Sequence, residues 1–233
     1  MDKHLPKTLK RLSVFEDSHR FYYPDTINTT PIPWPEHMTN RLTVEEVLAR
    51  KSLDLQHLAV SFKVNAEEVF RHCQPTWTWP HLQSLALTSQ LLQPDPENHE
   101  KIKALLRQAA VLVQQMPKIR DFVLWNGEYG HACAFIYRMD RDRVTITWRG
   151  TWNLDMSPRT VQAWQQAASA LSSFELQIKK ECIPEDVIIS HGDAIHHLEL
   201  PCQVVDPASL WQIRREARSL YGAESTIPTL HLQ

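Results

Sequence analysis

LDLQHLAVSFKVNAEEVFRHC, residues 53–73, is the stretch whose secondary structure decides the fold class. Leu53, Leu55, Leu58, Ala59 and Phe62 fall at spacings that a short helix brings to one face. Asn65 stands where the cap of a second helix, carrying Val69 and Phe70, is expected. With both segments helical, residues 41–116 read as helical throughout. Upstream, Thr43-x-x-Glu46 is a capping box that opens a helix reaching about Lys51. Downstream, Asp95-Pro96 starts a helix with Ile102, Leu105, Leu106, Ala109, Leu112, Val113 and Met116 on one stripe, until Pro117 stops it.

Past Pro117 the apolar period changes from 3.6 to 2. Residues 119–125, 131–139 and 144–149 read as strands, with Asn126-Gly127 and the run Asp140-Arg141-Asp142-Arg143 as turns, and so form an antiparallel meander. Ser157-Pro158 begins a long helix whose apolar face runs from Val161 and Trp164 through Ala168, Leu171 and Phe174 to Ile178. Residues 187–190 and 194–200 read as two more strands hinged at His191-Gly192-Asp193, and Asp206-Pro207 starts a final helix closed by Gly222. The expected fold is α+β: a helical N-terminal portion packed on an antiparallel β-meander with two further helices. Its parts are an extended N-terminal arm (1–40), the helical portion (41–117), the sheet with flanking helices (118–222) and a C-terminal tail (223–233).

A chain of 233 residues with 42% hydrophobic and 22% charged content can bury a full core. Its net charge of −2 gives no global attraction to a polyanion. No apolar run is long enough to span a bilayer and the N-terminus has no apolar core of a signal peptide, so membrane insertion is not expected and a cytoplasmic location is. Cys73, Cys133, Cys182 and Cys202 form no C-x-x-C pair. The five glycines make no G-x-G-x-x-G, Walker or G-x-S-x-G spacing, which removes the linear signatures of nucleotide loops and nucleophile elbows.

Leu58-Ala59-x-x-Phe62-x-Val64-x-x-x-x-Val69 resembles the apolar spacing of a DNA-binding helix-turn-helix. The resemblance covers about 20 residues (54–73) and departs at Lys63, where the turn usually carries glycine. Lys63, Asn65 and Arg71 would then be the DNA contacts, although Glu67 and Glu68 place negative charge where phosphates would approach. Cys182, His191, His196, His197 and Cys202 are zinc-type ligands without the paired spacing of a structural site, so no metal is expected. His131 and Cys133 share a strand face, but no orienting carboxylate or oxyanion loop accompanies them.

Arginine and aromatic residues concentrate elsewhere. Trp34, presented by Pro31-Ile32-Pro33-Trp34-Pro35, joins Trp77, Trp79, Tyr137, Arg138, Arg141, Arg143, Trp148, Arg149 and Trp152 as the residue types enriched at protein–protein hot spots. Asp140 and Asp142 interrupt the positive run, which favours a protein partner over nucleic acid. The sequence therefore predicts a bacterial-type, non-catalytic regulatory or inhibitory protein that binds another protein and needs no cofactor. The alternative is a DNA-binding regulator using residues 54–73, and a metal- or Cys/His-dependent hydrolase around Cys182, His191 and His196 comes third.

Overall fold

The computed structural model describes residues 6, 8–16 and 42–221, except the side chains of 218–221. In chain order these form β1 (Arg11–Phe15), α1 (Val44–Ser52), β2 (His57–Ser61), α2 (Ala66–His72), β3 (Ser84–Thr88), α3 (His99–Val113) and β4 (Asp121–Glu128). There follow β5 (His131–Met139), β6 (Val144–Gly150), α4 (Pro158–Leu171), β7 (Leu176–Cys182), α5 (His191–Leu198) and α6 (Pro207–Tyr221). The strands make one sheet in the order β1-β2-β3-β4-β5-β6-β7. Only β5 runs against the others, so the sheet is mixed and mostly parallel.

The fold is therefore α/β, and the expected helical portion on an antiparallel meander is corrected. The meander exists as β4-β5-β6, but it is the middle of a larger sheet. Residues 57–61 and 84–88 are strands, and a further strand, β1, comes from the region assigned to an arm. Parallel strands covered on both faces are short apolar runs without visible alternation, and such runs cannot be told from buried helix by period. Residues 185–200 hold a 3-10 turn (Glu185–Val187) and α5 rather than the two strands expected at 187–190 and 194–200. Here Ser190 caps the helix, its Oγ accepting from the Asp193 N–H at 3.1 Å. The helix expected to reach Ile178 ends at Leu171, and its apparent stripe continues only because Phe174 and Ile178 happen to keep the spacing. Asn126-Gly127 lies inside β4, and the hairpin turns instead at Tyr129-Gly130, where Gly130 takes φ +78°.

The strand order explains the layers. A series of same-handed crossovers that always steps in one direction places every crossover helix on the same face of the sheet. Accordingly α1, α2, α3 and α4 share one core with Leu58, Val60, Leu85, Leu87, Phe122, Phe135 and Ile146. α5 and α6 return across the opposite face, over Ala59, Ala86, Val123, Trp125, Ala132 and Ala134. Small residues there admit close approach: a Cβ on Gly127 would overlap the Cβ of Ala194 in α5. Gly192, in α5, lies so close to α6 that a Cβ would come within 2.8 Å of the Arg214 side chain and 2.9 Å of Ile213. The two helices are tied by Arg214 Nε, which donates to the buried Asp193 carboxylate at 2.9 Å.

Candidate functional site

Ligands of open parallel sheets sit outside the carboxyl ends of the strands, where the strand order reverses. The parallel run β1–β4 has no such reversal, because its order is monotonic. At those carboxyl ends Phe15, Phe62, Trp125 and His191 pack ring to ring, with centroids 5.1–5.8 Å apart. Phe62 is held at φ 62°, a left-handed conformation that costs a bulky residue energy, and the Thr88 hydroxyl accepts its N–H at 2.7 Å. This rim is filled.

The opposite rim is built differently. Parallel register aligns the first residues of successive strands into one cross-strand rung: Arg11 opposite His57, His57 opposite Ser84, and Ser84 opposite Asp121. The antiparallel pairings extend it from Asp121 to Arg138 and from Arg138 to Thr145. Neighbouring strands lie about 4.8 Å apart, so the rung is a continuous polar band along the sheet. Two adjoining grooves open onto it. One, of about 810 Å³, is lined by Lys118, Arg120, Asp121, Arg138 and the Asp140–Arg143 turn. The other, of about 550 Å³, is lined by Arg11, Ser13, His57, Ser84 and Cys202, and shares Gln83, Arg120 and Asp121 with the first.

Six cations (Arg11, Lys118, Arg120, Arg138, Arg141, Arg143) face three carboxylates (Asp121, Asp140, Asp142) along these grooves, a local surplus in a chain of net charge −2. Among the described residues, Arg11, Lys118, Arg120 and Arg141 have no carboxylate within 4 Å. The existing pairs are loose. Arg138 Nε stands 3.6 Å from Asp121 and 3.3 Å from Asp140, and Arg143 Nε 3.6 Å from Asp142 and 3.7 Å from Asp140. None of these pairs makes a hydrogen bond, and those with Asp140 and Asp142 are exposed and contribute little, so guanidinium N–H groups remain available.

Two titrations mark the rung. Burial, and then the charge of Arg11, hold His57 below the ordinary imidazole range, so it is neutral at pH 7. Burial raises Asp121 despite Arg138 beside it, and its Oδ1 is buried without a hydrogen-bond partner. Cys202 packs next to Ser84 and Asp121, where burial pushes its thiol up to about 11, so it is protonated at neutral pH and a poor nucleophile. Burial likewise lifts Cys73 to about 12 and raises the core thiol Cys133, whose Sγ donates to the Leu92 carbonyl.

The residues singled out in the sequence do not form one surface. Arg138, Arg141 and Arg143 meet in the larger groove. Trp148, Arg149 and Trp152 lie at the other end of β6. There Trp148 is buried and its indole donates to the Trp152 carbonyl, Trp152 stacks on His99, and Arg149 binds Glu181 and Glu199. Tyr137 is a core residue against Trp164. Trp79 is buried with its indole donating to Ser52 Oγ at 2.6 Å, and Trp77 packs edge-on against it. Trp34 lies outside the described residues.

The helix-turn-helix is also corrected. Leu58 and Ala59 belong to β2, so the segment has one helix, α2, and no turn between two. Lys63 pairs with Glu16 at 3.0 Å, Asn65 Oδ1 accepts the Gln90 N–H, and Arg71 pairs with Glu68 at 2.6 Å. Cys182 ends β7, while His191 opens α5 and His196 lies in its last turn, and no group of three metal-type side chains comes together among the described residues. Sequence reasoning missed Arg11, His57, Ser84, Arg120 and Asp121. The visible signal was a polar residue immediately before a buried run, as in His57-Leu58 and Asp121-Phe122.

The chain belongs to the DUF6546 family, described as a family of unknown function, whose sequence profile matches residues 4–206. No curated protein and no solved structure matches it.

Proposed function

We propose that this DUF6546 chain is a non-catalytic regulatory or inhibitory protein that acts by binding another protein, and that the N-terminal rim of its sheet is the binding surface. The observation that carries this reading is the polar rung with its two joined grooves, where unpaired cations stand exposed beside a buried, unsatisfied carboxylate oxygen. Arginine in such a setting is a recognition residue, offering planar, bidentate donors to a partner's acceptors. The raised pKa of Cys202 and Cys73 disfavours these two thiols as nucleophiles. No helix among the described residues is long and apolar enough to cross a membrane. With four free cysteines, the reading places the protein in a reducing, cytoplasmic setting.

The test is recovery of partners by the tagged full-length chain from nuclease-treated extract of its own cells, beside the double variant Arg120→Glu/Arg141→Glu. Protein partners should be recovered by the parent chain and lost with the variant, while the control Arg71→Glu, on α2, keeps them. Undiminished recovery with the double variant would move the binding surface elsewhere.

A further inference from the structure

Resting on the rim as the binding surface, we infer that its occupant is an extended acidic peptide segment of the partner, lying along the first rung with its carboxylates on Arg11, Arg120 and Arg141 and a backbone N–H on Asp121. Three features of the rung select this chemistry.

The first is length. From Arg11 to Arg138 the rung crosses four strand spacings of about 4.8 Å, roughly 19 Å, which six residues of extended peptide span at about 3.3 Å each. The grooves run along this line and share Gln83, Arg120 and Asp121 at their junction, so one segment can occupy both.

The second is the pattern of charge. Cations occur at both ends of the rung and along its lip, while Asp121 stands between them, its side chain 19% exposed and its buried Oδ1 3.6 Å from Arg138, so that only its outer oxygen can meet a ligand. A peptide brings both groups, side-chain carboxylates for the arginines and main-chain N–H for Asp121. A phosphodiester backbone brings acceptors only, and Asp121, Asp140 and Asp142 would repel it. Duplex or single-stranded nucleic acid is therefore the poorer fit.

The third is His57, which reports occupancy. It faces Arg11 from β1, Ser84 from β3, Arg120 and Asp121 from β4, and Cys202 from the segment after α5. Its proton is held off by burial and by Arg11. A carboxylate seated on Arg11 screens that charge while the peptide adds burial, so occupancy displaces the His57 titration.

The probe is a fluorescein-labelled eight-residue peptide alternating glutamate and glycine, titrated against the full chain by anisotropy at low ionic strength. A glutamine peptide and an oligothymidine of similar length serve as comparisons. The glutamate peptide is expected to bind, with the glutamine peptide and the Arg120→Glu/Arg141→Glu variant each weaker by on the order of tenfold. Arg71→Glu should bind as the parent chain does, and the His57 ring signals, followed by NMR, should titrate at a different pH with peptide present. Equal binding of the glutamate and glutamine peptides, no binding of either, or a fixed His57 titration overturns the inference. Tighter oligothymidine binding lost in the same variant overturns it in favour of a polyanion. If the peptide fails while the double variant still loses its native partner, the acidic peptide is wrong and the rim stands. If partner recovery survives the variant, the rim itself is wrong.

Discussion

The two rims of the sheet are made from the two ends of the same strands, yet they are opposites. At the carboxyl ends, Phe15, Phe62, Trp125 and His191 interlock, and Gly127 lets α5 close against β4. At the amino ends of β1–β4, Arg11, His57, Ser84 and Asp121 form a polar rung beside open grooves. In doubly wound sheets the carboxyl ends hold the ligand because the chain reverses its stepping direction there and leaves a crevice. Here β1–β4 step one way only, without a reversal, and the rings of Phe15, Phe62, Trp125 and His191 pack against one another at those ends. The site follows the side chains and the register rather than the general habit of the class.

If the carboxyl rim is structural and the amino rim is for binding, substitutions should separate the two properties. The largest effect belongs to Trp125→Ala, which empties a fully buried site and should cost about 3–5 kcal/mol in urea unfolding. The molecules that remain folded should bind partner as before. Gly127→Ala should cost about 1–3 kcal/mol, since the added methyl overlaps Ala194 and forces α5 away from β4. Loss of partner binding by the folded fraction of either variant would break the comparison. On the amino rim, Arg120→Glu/Arg141→Glu should change stability by no more than about 0.5 kcal/mol, because both side chains are exposed and unpaired, while reducing association by on the order of tenfold. A large stability loss there would give these arginines a structural role.

The smallest effect concerns Asp121. Its carboxyl is raised by burial, so the folded state binds the proton more tightly than the unfolded chain does. The stability this contributes is complete below the ordinary carboxylate range and is lost as pH rises through the raised value. Asp121→Asn removes that loss, so it should match the parent chain in strong acid and become the more stable of the two as pH rises towards neutrality. Parallel unfolding curves at pH 3 and pH 7 check this, and an identical difference at both pH values would contradict it.

The helices with strong local signals were readable, because their causes are local. Ser157 accepts from the Thr160 N–H at 3.3 Å, as a serine before proline leads one to expect, and Asp206 accepts from Ala208 at the start of α6. The buried stripe of α3 follows its spacing in the sequence. β2 and β3 were not readable, because Leu58 and Val60 point to one core and Ala59 to the other, leaving no polar face to mark alternation. α5 was obscured by Gly192, a residue poor in helix propensity whose presence answers a need of α6. The same limit governs the site. Arg138, Arg141 and Arg143 were visible as a local cluster, whereas Arg11, His57, Ser84 and Asp121 lie far apart in the chain and meet only through register. Tryptophan count misled for a related reason: Trp79, Trp125, Trp148 and Trp164 are all fully buried, and their number reflects the width of the cores.

The most direct test of a binding rim opposite a structural one is the amide ¹H–¹⁵N spectrum of the full chain during titration with the glutamate–glycine peptide. The account predicts shifts at Arg11, His57, Ser84, Arg120, Asp121 and the Asp140–Arg143 turn, with Phe15, Phe62, Gly127 and Gly130 unmoved. Shifts confined to those last four residues, with the first rung silent, would contradict it.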